Sequence, residues 1–303
     1  MIKHKQIRTD SNISMVETPS AGDQVVDAIV IILCGLVAFC SVIPMWHVLM
    51  SSISDGKALL AHNGLVLMPV GGITLGGYKY IFENNGIVTG YLNSIIYTVS
   101  ATAFGFILSA MTGYALSRQT KIKPIITAMI MFTMLFSGGM VPTYMVIKSL
   151  GWVGTRWALI IPGCTNAMFM VMMMSAFNSI PKEMYEAARI DGADQFRTMI
   201  QIMLPQAMNI GSVIILNSVV GQWNAWLPAS IYVPNDKKLW PLQLWVKQIT
   251  ADNENFLNTS NPDYSRYLIK FAVIIAATLP IIVLFPFFQD KLEKGVIAGG
   301  VKG

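Results

Sequence analysis

A charged segment in the middle of this chain carries the residues best suited to contact another molecule. It reads Glu186-Ala187-Ala188-Arg189-Ile190-Asp191-Gly192, and Ile202-Met203-Leu204-Pro205 follows after nine further residues. Long apolar stretches lie on both sides of it. Acidic side chains, small alanines and a helix-breaking glycine suit contact with another protein, because a surface can approach closely where side chains are small. The segment therefore indicates a protein-binding surface on a largely apolar chain.

The same segment predicts a short helix, a sharp turn and a second helix over residues 181–205. Pro181 suits a first helical position, where its missing N–H would be unpaired anyway. Glu186 favours the positive end of that helix, and Gly192 breaks it because glycine tolerates backbone angles that other residues avoid. The second helix is expected to begin near Asp194. An ordinary amphipathic interfacial helix is the alternative, but the first half has few large apolar residues and its charges are of mixed sign.

A second polar group lies toward the end of an apolar stretch over residues 206–228. Amides are costly in lipid unless they face protein or water, and sugars present hydroxyls for hydrogen bonds and C–H faces that stack on indoles. The candidate substrate-path residues are Asn217, Gln222, Trp223, Asn224 and Trp226. Adhesion between helices through the amides, with the tryptophans in an interfacial belt, is the alternative.

Other chemistry has little support in the sequence. The three cysteines fall within apolar stretches, and the three histidines are scattered without ligand spacing. The sequence lacks a phosphate-binding G-x-x-x-x-G-K-[ST] loop. We therefore expect no catalytic residue, no metal site and no nucleotide hydrolysis by this chain. The net charge of +5 needs no nucleic-acid partner, because much of it flanks apolar stretches.

The composition places the chain in a membrane. Apolar residues make up 54% and charged residues 12%, whereas soluble domains average about 25% charged residues. A helix needs about 20 apolar residues to cross the hydrocarbon core. Six candidate spans follow, near 25–50, 93–117, 124–147, 157–179, 206–228 and 268–288. Because apolar runs of this length are helical in lipid, we predict an all-α membrane protein with six transmembrane helices over residues 25–288.

Charge flanking the spans predicts the orientation. The short loop 118–123 reads Arg-Gln-Thr-Lys-Ile-Lys, a positive-inside marker. With six spans, the N-terminal segment 1–24 and the tail 289–303 then both lie in the cytoplasm. The first apolar run is a full span without a small-residue cleavage site, which favours a retained helix over a signal peptide.

Two further features have open interpretations. The long outside segments, 51–92 and 229–267, are rich in aromatic residues, and Trp240 to Trp245 in the second suits either interfacial anchoring or a platform for an outside partner. In the third span, Gly138 and Gly139 with a nearby proline predict a loosened or kinked helix. A hinge and close packing against a neighbour are both compatible with that pattern.

The charged segment also carries a family resemblance. Its pattern resembles the EAA signature of permease subunits in ATP-binding-cassette importers, matched at Glu186, Ala187, Ala188, Gly192, Ile202, Leu204 and Pro205. Tyr114-Ala115-Leu116-Ser117-Arg118 is similar to the end of the second span in the carbohydrate, maltose-permease-like branch. The stretch 136–144, Phe-Ser-Gly-Gly-Met-Val-Pro-Thr-Tyr, resembles the subgroup for complex or acidic oligosaccharides.

The resemblance implies a type I importer permease fold in which 181–205 is the cytoplasmic coupling segment. In such permeases this segment sits in a groove of the ATP-binding subunit. Glu186, Ala187 and Gly192 match the contact positions, and Ala188 and Asp191 complete the candidate coupling set.

The implied function is ATP-driven sugar or oligosaccharide import across a bacterial cytoplasmic membrane. The implied partners are a second homologous permease, two ATP-binding subunits that bind ATP and Mg, and an extracellular or periplasmic solute-binding protein. A permease for a non-sugar solute is the nearer rival. An ATP-independent secondary transporter is the more distant one, since the span cores hold almost no charges.

Overall fold

The regular structure of the chain is helical. The computed structural model describes residues 21–118, 120–251 and 266–300. Most of the predicted N-terminal segment 1–24 and the end of the predicted tail 289–303 lie outside the described residues. In the described part, the only β-pairing is one isolated antiparallel bridge between Ser54 and Ile73. The all-α prediction is confirmed.

Fourteen α-helices are present in the described residues, together with one π-turn and one short 3₁₀ turn. In chain order they are α1 (Ala21–Ser52), α2 (Gly56–Ala61), α3 (Gly76–Glu83), α4 (Asn85–Ser117), α5 (Lys123–Leu135), α6 (Met140–Ser149), α7 (Trp157–Cys164), α8 (Ala167–Asn178), α9 (Lys182–Ile190), α10 (Gln195–Arg197), the π-turn (Thr198–Met203), α11 (Leu204–Trp223), α12 (Leu227–Tyr232), the 3₁₀ turn (Lys237–Leu239), α13 (Leu242–Thr250) and α14 (Arg266–Gly300). The chain divides after His47 into two compact units, and α2 to α14 all belong to the second, Val48–Gly303.

Five helical stretches are long and apolar enough to cross a membrane. They are Gln24–Ser52, Asn85–Ser117, Trp157–Asn178, Gln195–Trp223 and Leu268–Gln289. The pair α5 and α6 is apolar enough to form a sixth, but it is bent by 117° at a short break. The six predicted spans therefore correspond to these five stretches and one sharply bent pair, and the stretch Trp157–Asn178 is itself interrupted between α7 and α8.

The break in the third span lies at the two glycines that the sequence singles out. Gly139 has φ 83° and ψ −178°, a conformation that side-chain-bearing residues rarely adopt. Its N–H donates to Ser137 Oγ at 3.2 Å. No atom lies within 4 Å of a Cβ built on Gly139, and on Gly138 only Pro142 Cβ comes as near as 3.7 Å. Within the chain, these glycines serve the backbone bend, and close packing against a neighbour is not seen among the described residues.

The described part of the segment 229–267 packs against α4. Asn93 Nδ2 donates to the carbonyl oxygens of Lys238 at 2.7 Å and Trp240 at 3.1 Å. The indoles of Trp240 and Trp245 are both buried, with ring centres 5.2 Å apart. Interfacial anchoring is therefore wrong for this pair, because their rings form part of the core beneath the described part of the outer segment.

Helix α4 is the centre of the second unit, in contact with α7, α8, α11 and α13. A Cβ on Gly105 would lie 2.8 Å from the Cys164 carbonyl oxygen, and one on Gly113 would lie 2.8 Å from Met173 Cβ. Small residues at such positions let membrane helices approach closely. Met173 itself is completely buried, so its side chain serves packing between α4 and α8.

We expect Gly139→Ala to destabilise the chain by about 1–3 kcal/mol, because a residue held at an unfavourable φ and ψ costs this much. The measurement is the thermal unfolding midpoint of the detergent-solubilised chain. Gly138→Ala is the matched control, since the space around Gly138 accepts a methyl group and its φ is not positive. Equal midpoints for the two variants would contradict the role assigned to Gly139.

Candidate coupling site and substrate path

The first arm of the coupling segment, α9, ends in a Schellman motif. The N–H of Ala193 donates to the Ala188 carbonyl at 2.9 Å, and the N–H of Gly192 donates to the Arg189 carbonyl at 3.2 Å. Gly192 has φ 78°, the left-handed conformation that this motif requires after the last helical residue. At the other end of α9, Pro181 is the N-cap, whereas the sequence predicts it as the first helical residue. The predicted helix and sharp turn are both present.

The second arm begins with a capped turn. The side-chain oxygen of Asp194 accepts from the Arg197 N–H at 2.6 Å, as expected for an N-cap. A π-turn follows, in which the Leu204 N–H reaches back to the Met199 carbonyl, five residues earlier. Pro205, the second residue of α11, has no N–H to donate. The π-turn thus shifts the backbone hydrogen bonds from partners four residues apart to partners five residues apart. The helix continues at the point where the proline would otherwise interrupt it.

The second arm is continuous with the fifth span. The helical stretch runs unbroken over Gln195–Trp223, whereas the sequence predicts a span beginning at residue 206. The difference arises because Pro205 at the start of α11 is read as a boundary, although proline is also tolerated in the first turn of a helix. The second arm and the fifth span are therefore one continuous helical stretch.

The five predicted coupling residues divide between an outer and an inner face. Glu186, Ala187, Asp191 and Gly192 are exposed, whereas Ala188 is only 3% exposed and faces the interior of the chain. Four of the five residues thus share one accessible surface at the end of α9. Ala188 is the buried residue of α9 and packs against the interior of the chain.

The acidic side chains of α9 have no ion-pair partner in the part of the chain that the structure describes. This holds for Glu183, Glu186 and Asp191. Exposed carboxylates without an internal partner are free to pair with basic residues of another protein, and charge complementarity steers such encounters.

Two of the five predicted substrate-path residues bond to backbone carbonyls of neighbouring helices. Gln222 Nε2 donates to the Gly163 carbonyl at 3.0 Å, and Trp223 Nε1 donates to the Ala277 carbonyl at 2.9 Å. The Trp223 side chain is 5% exposed. These two groups join the fifth span to the fourth and sixth, which corresponds to the helix-adhesion alternative.

Interruptions in the neighbouring helices free two backbone carbonyls. Pro280 inside α14 has no N–H for the Ala276 carbonyl, and the Tyr91 hydroxyl donates to that carbonyl instead. In the fourth span, α7 ends before it would supply a donor to Gly163, and Gln222 supplies one. Unsatisfied carbonyls are costly in lipid, so these two side chains replace missing backbone donors. The bond from Trp223 to the Ala277 carbonyl is an additional one, because Ile281, four residues on, still has an N–H.

Asn217 and Asn224 lie elsewhere, on an open face of α11. Together with Gly221 they are exposed, and their spacing of four and three residues places all three on one side of a helix. Each amide donates to its own helix at 2.9 Å, to the carbonyls of Val213 and Val220 respectively. Each side-chain oxygen therefore remains available as an acceptor on this face.

Trp226, the fifth candidate, lies beyond the end of α11. It is 36% exposed, and Lys247 Nζ lies 5.3 Å from its ring centre. A cation over an indole face is a favourable contact. The accessible candidates are thus Trp226 and the two asparagines of the open face.

Sequence reasoning missed one residue at the coupling site. It used Arg118 only to mark the end of the second span and the inner side of the membrane. In the structure the Arg118 guanidinium carbon lies 4.0 Å from the ring centre of Tyr185 on α9. No short-range sequence pattern links Arg118 to Tyr185, because the two residues are far apart in the chain.

A family model matches this arrangement. Residues 68–298 match the family described as "Binding-protein-dependent transport system inner membrane component". The chain belongs to this family. The permease is accordingly a multi-pass membrane protein that serves transport rather than catalysis.

Two curated relatives from Bacillus subtilis (strain 168) are each 34% identical to the permease. The polygalacturonan/rhamnogalacturonan transport system permease protein YtcP aligns over 88% of this chain and 94% of its own. The protein LplC aligns over 92% of this chain and 96% of its own. The arabinooligosaccharides transport system permease protein AraQ of Halalkalibacterium halodurans is 26% identical, over 89% of this chain and 94% of its own.

Solved structures confirm the fold. A chain from the crystal structure of a bacterial ABC transporter involved in the import of the acidic polysaccharide alginate superimposes with a TM-score of 0.82. It is 27% identical and covers 90% of the permease and 98% of that chain. A chain from the same type of transporter, crystallised with an alginate pentasaccharide-bound periplasmic protein, gives a TM-score of 0.58 at 15% identity. The expected type I importer permease fold is confirmed.

We expect Gly192→Val to loosen the end of α9, whereas Gly192→Asn leaves it closed. Both side chains enter open space, but a β-branched residue is disfavoured at positive φ and asparagine tolerates it. Limited trypsin digestion at Arg189 in inside-out vesicles measures the local opening. The valine variant should be cut about tenfold faster, from a strain of about 1–2 kcal/mol. Equal cleavage rates would show that the turn does not depend on this backbone angle.

Proposed function

We propose that this permease is one membrane subunit of an ATP-driven importer for oligosaccharides. Its complex would contain a second homologous permease and two ATP-binding subunits. ATP and Mg would bind to those subunits, and this chain would hold no cofactor and no catalytic residue. An extracellular or periplasmic solute-binding protein would deliver the sugar. The observation that carries the proposal is the helical continuity between the exposed coupling segment and the fifth span.

The proposed mechanism is alternating access. ATP binding draws the two ATP-binding subunits together, and the coupling segment moves with the subunit that holds it. Because the second arm continues into the fifth span over Gln195–Trp223, that movement is transmitted to the membrane helices. ATP shifts the equilibrium only if it binds one of the two arrangements better than the other. The coupling is thus a two-state equilibrium that ATP and sugar both bias.

The contact with the ATP-binding subunit is assigned to Glu186, Ala187, Ala188, Asp191 and Gly192. Exposure of four of these residues supports the assignment, as does the lack of an internal partner for Glu186 and Asp191 among the described residues. Ala188 supports the others from beneath by its burial. We infer from this assignment that α9, and with it both chain termini, lies on the cytoplasmic side of a bacterial cytoplasmic membrane.

The proposed sugar is an oligosaccharide, and an acidic one is favoured. The relative YtcP is named for polygalacturonan and rhamnogalacturonan, and the structural neighbour at a TM-score of 0.82 comes from an importer of the acidic polysaccharide alginate. The open face of α11, with Asn217 and Asn224, offers amide groups that suit sugar hydroxyls. Trp226 adds an indole face on which a sugar ring can stack.

Glu186→Arg should abolish recovery of the ATP-binding subunit with the tagged permease. The substitution places a positive charge against the basic residues that are proposed to pair with Glu186. Like charges facing each other cost several kcal/mol at an interface. The measurement is affinity purification from native membranes followed by mass spectrometry. Glu183→Arg is the matched control, since it reverses a charge on the same helix outside the motif. If the wild-type permease is recovered alone, the importer function is contradicted.

Asn217→Leu and Asn224→Leu should each raise the KM for uptake of an oligogalacturonide about fivefold, the effect of one lost hydrogen bond of about 1 kcal/mol. The amount of permease in the membrane should stay unchanged, because neither amide bonds to another helix. Gln222→Leu is the contrasting control. It breaks the bond to Gly163 and should lower the amount of permease. Unchanged uptake kinetics in both asparagine variants would remove this face from the sugar path.

A further inference from the structure

The coupling segment has a second attachment to the membrane helices, through the end of α4. Arg118 is the C-cap of α4, and its guanidinium lies between two tyrosine rings. The guanidinium carbon is 4.5 Å from the ring centre of Tyr114 and 4.0 Å from that of Tyr185. Tyr114 belongs to the last turn of α4 and Tyr185 to α9. A planar guanidinium fits between two aromatic faces in a way that a compact ammonium group does not.

Gln195 forms hydrogen bonds with the hydroxyl groups of the same two tyrosines. The Tyr114 hydroxyl donates to Gln195 Oε1 at 2.9 Å, and Gln195 Nε2 donates to the Tyr185 hydroxyl at 2.9 Å. Both rings that enclose Arg118 are thus also joined through their hydroxyls. Side chains of α4, α9 and α10 form one closed cluster, which we call the tyrosine–arginine clamp: Tyr114, Arg118, Tyr185 and Gln195.

The two rings differ in how firmly they are held. Tyr114 is 7% exposed, and its ring packs edge-on against Phe177 of α8 with centres 5.8 Å apart. Tyr185 is half-buried on α9 and adjoins a cavity of about 470 Å³, which Lys182 and Glu186 also line. The clamp therefore joins a ring fixed among the spans to a ring on the segment proposed to move.

The guanidinium is held by the ring faces rather than by hydrogen bonds. Its Nε and Nη2 groups are buried and have no acceptor in the described part of the chain. A static structural arginine is normally satisfied by carboxylate or carbonyl oxygens. An arginine whose contacts are two aromatic faces depends on both rings staying in place, so its position reports the position of α9 relative to α4.

We propose that Arg118 is a positioning residue that couples α9 to α4 through the tyrosine–arginine clamp. This inference rests on the proposed role of α9 as the contact with the ATP-binding subunit. With the clamp closed, α9 is attached to the fifth span through the helical rod and to the second span through Arg118. A movement of α9 then displaces both spans together. Without the clamp, α9 tilts about the rod, and ATP is hydrolysed without full rearrangement of the spans.

The test uses the complete transporter complex, purified through a tag on this chain and reconstituted in proteoliposomes with its binding protein. An oligogalacturonide is the probe sugar. Arg118→Ala is expected to raise the ATP hydrolysed per sugar imported about tenfold, the effect of losing two cation–π contacts. Arg118→Lys is expected to recover only part of the loss. Lys121→Ala is the matched control, since it removes an exposed charge from the same loop and should leave the ratio unchanged.

A second measurement is independent of the sugar. Spin labels at Ala115→Cys on α4 and Glu183→Cys on α9, in a background without the native cysteines, report the distance between the two helices in the complex. The distribution should broaden about twofold in Arg118→Ala, as expected when two attached elements become mobile, and keep its parent width in Lys121→Ala. An unchanged distribution and an unchanged ATP-to-sugar ratio in Arg118→Ala would overturn the proposal. If that variant fails to assemble, normal coupling in Arg118→Lys overturns it instead.

Failure of the proposed function has a different signature. A parent permease that recovers no ATP-binding subunit contradicts the importer assignment itself. A parent complex that hydrolyses ATP but imports no oligogalacturonide contradicts the sugar class alone. In that case the spin-label distances still decide whether Arg118 positions α9.

Discussion

The hydrogen bonding of backbone carbonyls within lipid is the constraint on which this structure depends. Water is absent from the bilayer core, so each carbonyl freed by an interrupted helix needs a donor from elsewhere in the protein. Tyr91 supplies a donor to the Ala276 carbonyl, which Pro280 frees, and Gln222 supplies one to Gly163 in the fourth span. Trp223 adds a bond to the Ala277 carbonyl of α14. These bonds tie the second, fourth, fifth and sixth spans to one another. Helices with interruptions are thus held together by the groups that repair the interruptions.

This constraint also sorts the polar residues of the fifth span by role. A side chain that donates to another helix cannot leave without exposing a carbonyl, so it belongs to the framework. A side chain that donates only to its own helix leaves its oxygen available, as at Asn217 and Asn224. The same distinction applies at α9, where Ala188 is buried and Glu186 is exposed. A single helix can thus carry both residues that hold the fold together and residues that are accessible to other molecules.

Much of the fold follows from the sequence because its signals are local. Length and hydropathy identify the spans, and the pattern from Glu186 to Pro205 identifies the coupling segment with its turn. The features that the sequence leaves open concern partners that are distant in the chain. It leaves Trp223 between a sugar path and helix adhesion, because its partner carbonyl, Ala277, cannot be identified from spacing. Trp240 reads as an interfacial residue until its packing against the outer part of α4 is known.

The cluster around Arg118 shows the same limit. Tyr114 and Arg118 are recognisable as the end of a span, but stacking on Tyr185 depends on how α4 and α9 cross in three dimensions. Continuity through Pro205 is a different case. Proline usually marks the start or end of a helix. Only the π-turn formed by the preceding residues shows that the helix continues through Pro205.

The π-turn before Pro205 carries one residue more than an α-helical turn of the same rise. Successive residues of an α-helix are offset by about 100° around the axis, so the extra residue sets the azimuth of the coupling arms relative to the fifth span. Lineages that lost a single residue between Thr198 and Met203 would turn the arms around the helix axis and scarcely shorten the chain. The number of residues in this one turn therefore sets the direction in which the exposed side of α9 faces around the axis of the fifth span.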